Sequence, residues 1–236
     1  MNEKRLTALN PYTLFIDDAN VADFGCLVES YTVGPAAVNS AIFQGRNRTT
    51  FRQLAYTIGR RDITVSLFYA AKTQRELAEQ KSQVDARLLG TPDLHLPDGF
   101  HYFAVLKSAG DLKILGIEGN RVIGLASYKL EGIRHDPLQT VTGNTIKASG
   151  TMPQMDAIFS CTTTAARSTL QVGPVTFRNV PAGAAVVADG INGQLTVNGA
   201  AAAANATFTR LPFVVPGQQT ITCPETLTVQ YYPCWV

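Results

Sequence analysis

The side chains able to do chemistry are few and widely spaced. The chain has four cysteines (Cys26, Cys161, Cys223, Cys234) and three histidines (His95, His101, His135) in 236 residues. The cysteines show no Cys-x-x-Cys spacing and stand too far apart for a metal knuckle, so they are expected to be buried or idle thiols. A Cys223–Cys234 disulfide stays open, because spacing alone does not establish one. The histidines are scattered. His95 and His101 flank a loop, but two imidazoles without a third ligand predict no metal centre. Asp17-Asp18 is an adjacent carboxylate pair whose side chains would point to opposite faces of a strand. Asp189 and Glu225 could serve as the opposed carboxylates of a glycosidase, yet Asp189 precedes Gly190 and suits a turn. No Gly-x-Ser-x-Gly elbow, phosphate loop or His-Glu-x-x-His helix is present. The expectation is a protein that is not an enzyme, with no catalytic residue, cofactor or metal.

The remaining chemistry is charge. Residues 34–61 hold Arg46, Arg48, Arg52, Arg60 and Arg61, no acidic residue and little periodicity. The plain reading is a solvated basic loop. The sharper one is a long arm that docks on a neighbouring subunit, with Arg46, Arg48 and Arg52 as interface candidates. Only Phe43, Phe51 and Tyr56 are at hand to stack on bases, and no nucleic-acid motif accompanies them, so protein contact ranks above nucleic acid.

The elements that would position these groups differ between the two halves. Residues 60–90 give the clearest pair. Ile63, Val65, Leu67 and Tyr69 share one strand face by alternation. Thr73-Gln74-Arg75-Glu76 is a capping box that opens a helix, and Leu77, Val84 and Leu88 repeat at helical spacing. Gly90 is placed to cap its end, and Pro92 prevents continuation. Short strands are also predicted at residues 12–16, 26–33, 101–107, 112–118 and 121–133. Together these predict an α+β unit, an antiparallel sheet or split barrel with one helix, over residues 1–136. After that point lie only four Lys or Arg and three acidic residues, of 20 and 18 in the chain. Short strands separated by turns then predict an all-β sandwich or jelly roll over residues 137–236. Asn192-Gly193 and Asn198-Gly199 are expected as type I′ hairpin turns.

With 45% hydrophobic residues and a net charge of +2, the chain can bury a core and makes no bulk electrostatic demand for nucleic acid or membrane. Met1-Asn2-Glu3-Lys4-Arg5-Leu6 lacks the apolar run of a signal peptide, and synthesis in a cytoplasm is expected. A sugar-binding sandwich is the main alternative function, with Tyr231, Tyr232 and Trp235 as possible platforms, although such a cluster beside a terminal strand usually packs the core.

The order of several stretches resembles the distal tail proteins (Dit family) of siphophage-type tails. These are Arg60-Arg61-Asp62-Ile63-Thr64-Val65 with its helix, Asp93-Leu94-His95-Leu96, His101-Tyr102-Phe103-Ala104-Val105, Gly150-Thr151-Met152-Pro153, the run from Leu211-Pro212-Phe213 to Gln219-Thr220-Ile221, and the ending Thr228-Val229-Gln230-Tyr231-Tyr232-Pro233-Cys234-Trp235. One departure is that Cys234-Trp235-Val236 stands where a basic residue often follows the proline. The resemblance implies a structural virion protein made in a host cytoplasm. It would form a homohexameric ring at the tip of the tail tube, with galectin-like C-terminal domains projecting outwards. The implied partners are the tube protein, the tail-tip hub, and receptor-binding proteins or fibres. No membrane and no specific nucleic acid would be involved.

Overall fold

The computed structural model describes residues 13–44, 46 and 49–236. Arg48 and Tyr12 lie outside them. The described chain forms two compact units, one reaching to His135 and the other spanning Asp136–Trp235.

The first unit is an antiparallel sheet with one α-helix. Its elements are β1 (Phe15–Ile16), β2 (Ala19–Asn20), β3 (Cys26–Gln44), β4 (Phe51–Ala71), α1 (Gln74–Arg87), β5 (Asp93–His95), β6 (His101–Ala109), β7 (Lys113–Glu118) and β8 (Arg121–His135). The strand order is β2-β1-β5-β6-β8-β4-β3, with β7 folding back on β8. The alternation in β4 works as expected: Ile63, Val65, Leu67 and Tyr69 are all buried, and Leu77, Val84 and Leu88 pack on the same core. The Thr73 cap forms too, with the reciprocal bond displaced by one residue. Thr73 Oγ1 accepts from the Glu76 N–H at 3.2 Å, and Glu76 reaches back to the N–H of Lys72 at 2.9 Å. Leu88, in right-handed conformation, is the C-terminal cap of α1; Gly90 follows two residues later with a φ of 88°. A polar chain ties helix to sheet within the core. The Tyr69 and Tyr128 hydroxyls are hydrogen-bonded to each other, Tyr128 donates to Asp85 at 3.0 Å, and Lys81 pairs with Asp85 at 2.7 Å.

Two expectations change. Residues 34–44 and 51–61 are not a loop: β3 and β4 pair along almost their whole length, from Cys26↔Tyr69 to Gln44↔Phe51. Past Arg61, where pairing of β4 with β8 stops, they continue as a two-stranded ribbon. Its strand character is hard to read because neither face is buried, so selection for a period of two is lost. Gly34-Pro35 looks like a turn signal but falls at a register shift between Val33 and Ala36, where a missing N–H is tolerated. Asp17-Asp18 is likewise the turn between β1 and β2, not strand, and Asp17 has a φ of 54°.

The second unit is all β. One sheet runs β16 (Ala200–Ala201), β15 (Gln194–Val197), β14 (Ala185–Asp189), β11 (Met155–Thr162), β20 (Thr228–Tyr231) and β9 (Gln139–Thr142), with β18 (Phe213–Val214) also on β11. A second contains β12 (Arg167–Val172), β13 (Val175–Val180) and β17 (Ala206–Phe208). A short pair joins β10 (Thr145–Ala148) to β19 (Gly217–Thr220); β21 (Cys234–Trp235) closes the chain. Phe159, Phe177, Leu170, Val186, Val229 and Tyr231 meet in one core. Asn198-Gly199 is the expected type I′ turn, with both φ angles positive at 51° and 76°. Asn192-Gly193 is not. Only Gly193 has positive φ, because Asp189 organises that loop by accepting from the Ile191 and Asn192 N–H groups at 2.8 Å each.

Candidate functional site

The most prominent surface feature is the β3–β4 ribbon. A two-stranded ribbon standing alone is marginal in water, yet this one carries Val38, Ile42, Phe43, Leu54 and Tyr56 exposed. Ser40 pairs with Tyr56 and Val38 with Ile58, with a register shift between Ala41 and Ile42. Arg46 and Arg52 are exposed on it. Arg60 and Arg61 belong to its base instead: Arg61 donates to the Gly34 carbonyl at 3.0 Å, and Arg60 approaches Glu131 at 3.6 Å. Lys107 also binds Glu131, and these two cations hold its carboxyl below the usual carboxylate range. The β7–β8 hairpin exposes a second apolar group, Ile114, Leu115 and Ile117.

The histidines are not scattered once the chain folds. His95 stands directly opposite His101, and His101 opposite His135, on adjacent strands β5, β6 and β8. The rings of His95 and His101 stack at 4.3 Å, and Phe103 stacks on His135 at 3.7 Å. Asp93, diagonal to His101, receives both imidazoles. His101 Nδ1 lies 3.2 and 3.1 Å from its two oxygens, and His135 Nε2 lies 3.2 Å from Oδ1. Burial opposes the Asp93 charge, but the His135 and His101 contacts outweigh it and hold the carboxyl below its ordinary range. Burial, with the neighbouring His101, pushes His95 down. No spacing rule finds this cluster, since Asp93 and His135 lie 42 positions apart and meet only through sheet register.

The carboxylates proposed for hydrolysis are both occupied structurally. Asp189 closes its loop. Glu225 is buried, takes two hydrogen bonds from Arg167 (2.9 and 2.7 Å) and is contacted by the Thr164 hydroxyl. Arg167 leads in holding the Glu225 carboxyl below the usual range, against the opposing push of burial. Of the aromatic residues considered for sugar, Tyr231 is fully buried, and the Trp235 indole donates to Asp136 at 2.9 Å. All four cysteines are free. Cys223 faces Cys161, not Cys234. The proximity of the two thiols lowers the Cys223 thiol and raises that of Cys161. Cys234 instead donates to the Tyr232 carbonyl at 3.3 Å.

Comparison with known proteins places this arrangement in a class. The fold is that of hub and baseplate proteins of phage tails, mostly antiparallel sheet with a single helix. In particular, the fold is Dit-like. It is similar to the SPP1 Dit (gp 19.1) protein, described as a paradigm of the hub adsorption apparatus in phages infecting Gram-positive hosts. The TM-score is 0.72 at 9% identity, covering 96% of this chain and 100% of that one. It is also similar to chains of the phage P2 baseplate in its activated conformation, with calcium (TM-score 0.55, 9% identity, 94% and 97% covered) and with strontium (0.53, 10%, 94% and 97%). No protein-family model and no curated protein matches the sequence.

Proposed function

We propose that this protein is a structural component of a virion tail tip. In this reading it forms a ring, a homohexamer, on the end of the tail tube and joins the tube to the hub and to receptor-binding proteins or fibres. The observation that carries the reading is the likeness to SPP1 Dit over 96% of this chain and all of that one, which takes in both units. The ring is assigned to residues 1–136. The galectin-like unit, residues 137–236, is assigned outward as a platform, and its shape alone does not make it a lectin.

The ribbon supplies the physical reason for assembly. It presents exposed apolar side chains and arginines without acidic residues, on a hairpin too slender to be stable by itself. Docking on a second copy would cover it and fix its register. A closed ring needs each subunit to offer two different surfaces, and the ribbon is one of them, with Arg46 and Arg52 at its outer end. Native mass spectrometry of the purified chain tests the proposal. A six-fold species is expected, and a monomer at every concentration where tails assemble overturns it. Labelling the protein in particles and finding it anywhere but the tube tip would overturn the assignment of place.

A further inference from the structure

We propose that Asp93, His101 and His135 form a binding site for a borderline divalent cation, with zinc as the first choice. This inference is independent of the ring. Three observations carry it.

The first is the donor set. One ring nitrogen each of His101 and His135 and an Asp93 oxygen all lie within 4.8 Å of one another. Two imidazoles and one carboxylate suit zinc and its neighbours far better than calcium or magnesium, which take oxygen ligands. They also leave a fourth position for water.

The second is distance. Imidazolium–carboxylate hydrogen bonds settle at about 2.7–2.9 Å. The contacts here are 3.1 and 3.2 Å. Ligand atoms about 2.0–2.1 Å from a common zinc at tetrahedral angles stand roughly 3.3 Å apart. The nitrogen–oxygen spacings are thus already compatible with a coordination edge, and the donor atoms, all within 4.8 Å of one another, would close further around a bound ion.

The third is support. His101 is held by its stack on His95, and His135, only 1% exposed, by its stack on Phe103. The Asp93 backbone is fixed from both sides by Asp17, whose N–H donates to the Asp93 carbonyl at 2.7 Å and whose carboxylate accepts the Asp93 N–H at 2.9 Å. Partners that orient the ligands in this way are what metal sites require. Asp93 and His101 are part-exposed, so a cation can enter without opening the core. Once bound, it would staple β5, β6 and β8 together.

The test uses the full-length protein, stripped with chelator and titrated with zinc chloride by calorimetry at neutral pH. One zinc per chain is expected. Asp93→Asn and His101→Asn should each weaken binding at least about 10-fold, while His95→Gln, outside the ligand set, should stay within about twofold of wild type. Cobalt should give the visible bands of tetrahedral coordination in wild type and lose them in both ligand variants. Thermal midpoints should rise by roughly 5 °C at saturating zinc in wild type only. Circular dichroism confirms that each variant is folded, and if Asp93→Asn is not, His101→Asn decides alone. No zinc uptake, or uptake undiminished in the ligand variants, as binding at Cys161 and Cys223 would give, overturns the proposal.

Discussion

The ribbon gives the sharpest test of assembly. Replace Ile42, Phe43 and Leu54 together with Ser. Complete burial of such a side chain contributes about 1.5–3 kcal/mol. In the single chain these three are 59%, 61% and 66% exposed. More than half of that contribution is therefore still to be gained, about 1–2 kcal/mol per residue if a neighbour covers them. The triple variant should lose about 3–5 kcal/mol per ring contact, a weakening of roughly 150- to 4,000-fold. Its own folding should hardly change, because exposed substitutions away from the core usually shift stability by less than about 0.5 kcal/mol each. Sedimentation velocity over a dilution series reads the first quantity and scanning calorimetry the second. An unchanged assembly constant would show that the ribbon is not in the contact. A thermal midpoint lowered by more than about 5 °C would show that these side chains pack within their own chain, and the argument from exposure would fail.

Four further outcomes follow from the contacts. Arg46→Ser with Arg52→Ser should slow ring assembly and reduce its dependence on salt while the monomer melts normally, as stopped-flow light scattering would show. Thr73→Ala removes the cap acceptor of α1 and should cost about 1 kcal/mol, and a melt identical to wild type would remove the capping claim. Asn144→Ala deletes hydrogen bonds to the Cys223 and Glu225 carbonyls and from the Leu227 N–H; a loss of about 2–3 kcal/mol in urea unfolding of the second unit is expected. Glu225 has a lowered carboxyl pKa in the folded state, so its contribution is complete above the unfolded value of about 4.3 and is lost as pH falls through the folded value. The difference in melting between wild type and Glu225→Gln should therefore be largest near neutrality and vanish in acid.

The sequence is informative wherever one face of an element is buried. Ile63, Val65, Leu67 and Tyr69 alternate because the core selects every second side chain, and Thr73 with Glu76 marks the helix start because capping is local. The ribbon was not legible as strand for the opposite reason, since neither face is buried and no pattern is imposed. Gly190 shows another limit. A β-carbon there would crowd the carbonyl oxygens of Pro212 and Ala157, a demand for glycine set by segments more than 20 residues away in sequence.

By itself, then, the sequence determined the strand–helix pair of the first unit, the change in composition near residue 136, the type I′ turn at Asn198-Gly199 and the order of stretches that resembles Dit proteins. Those are local or cumulative signals, written by hydrogen bonds within a few residues or by repeated burial. The tertiary structure alone decided that the arginine-bearing segment stands out as a paired ribbon, that Cys223 faces Cys161, and that three distant histidines line up across β5, β6 and β8 with Asp93 between two of them. The ribbon and the histidine row depend on strand register, and the cysteine pair on the return of a loop to β11; a single chain fixes these only when non-local pairs have formed.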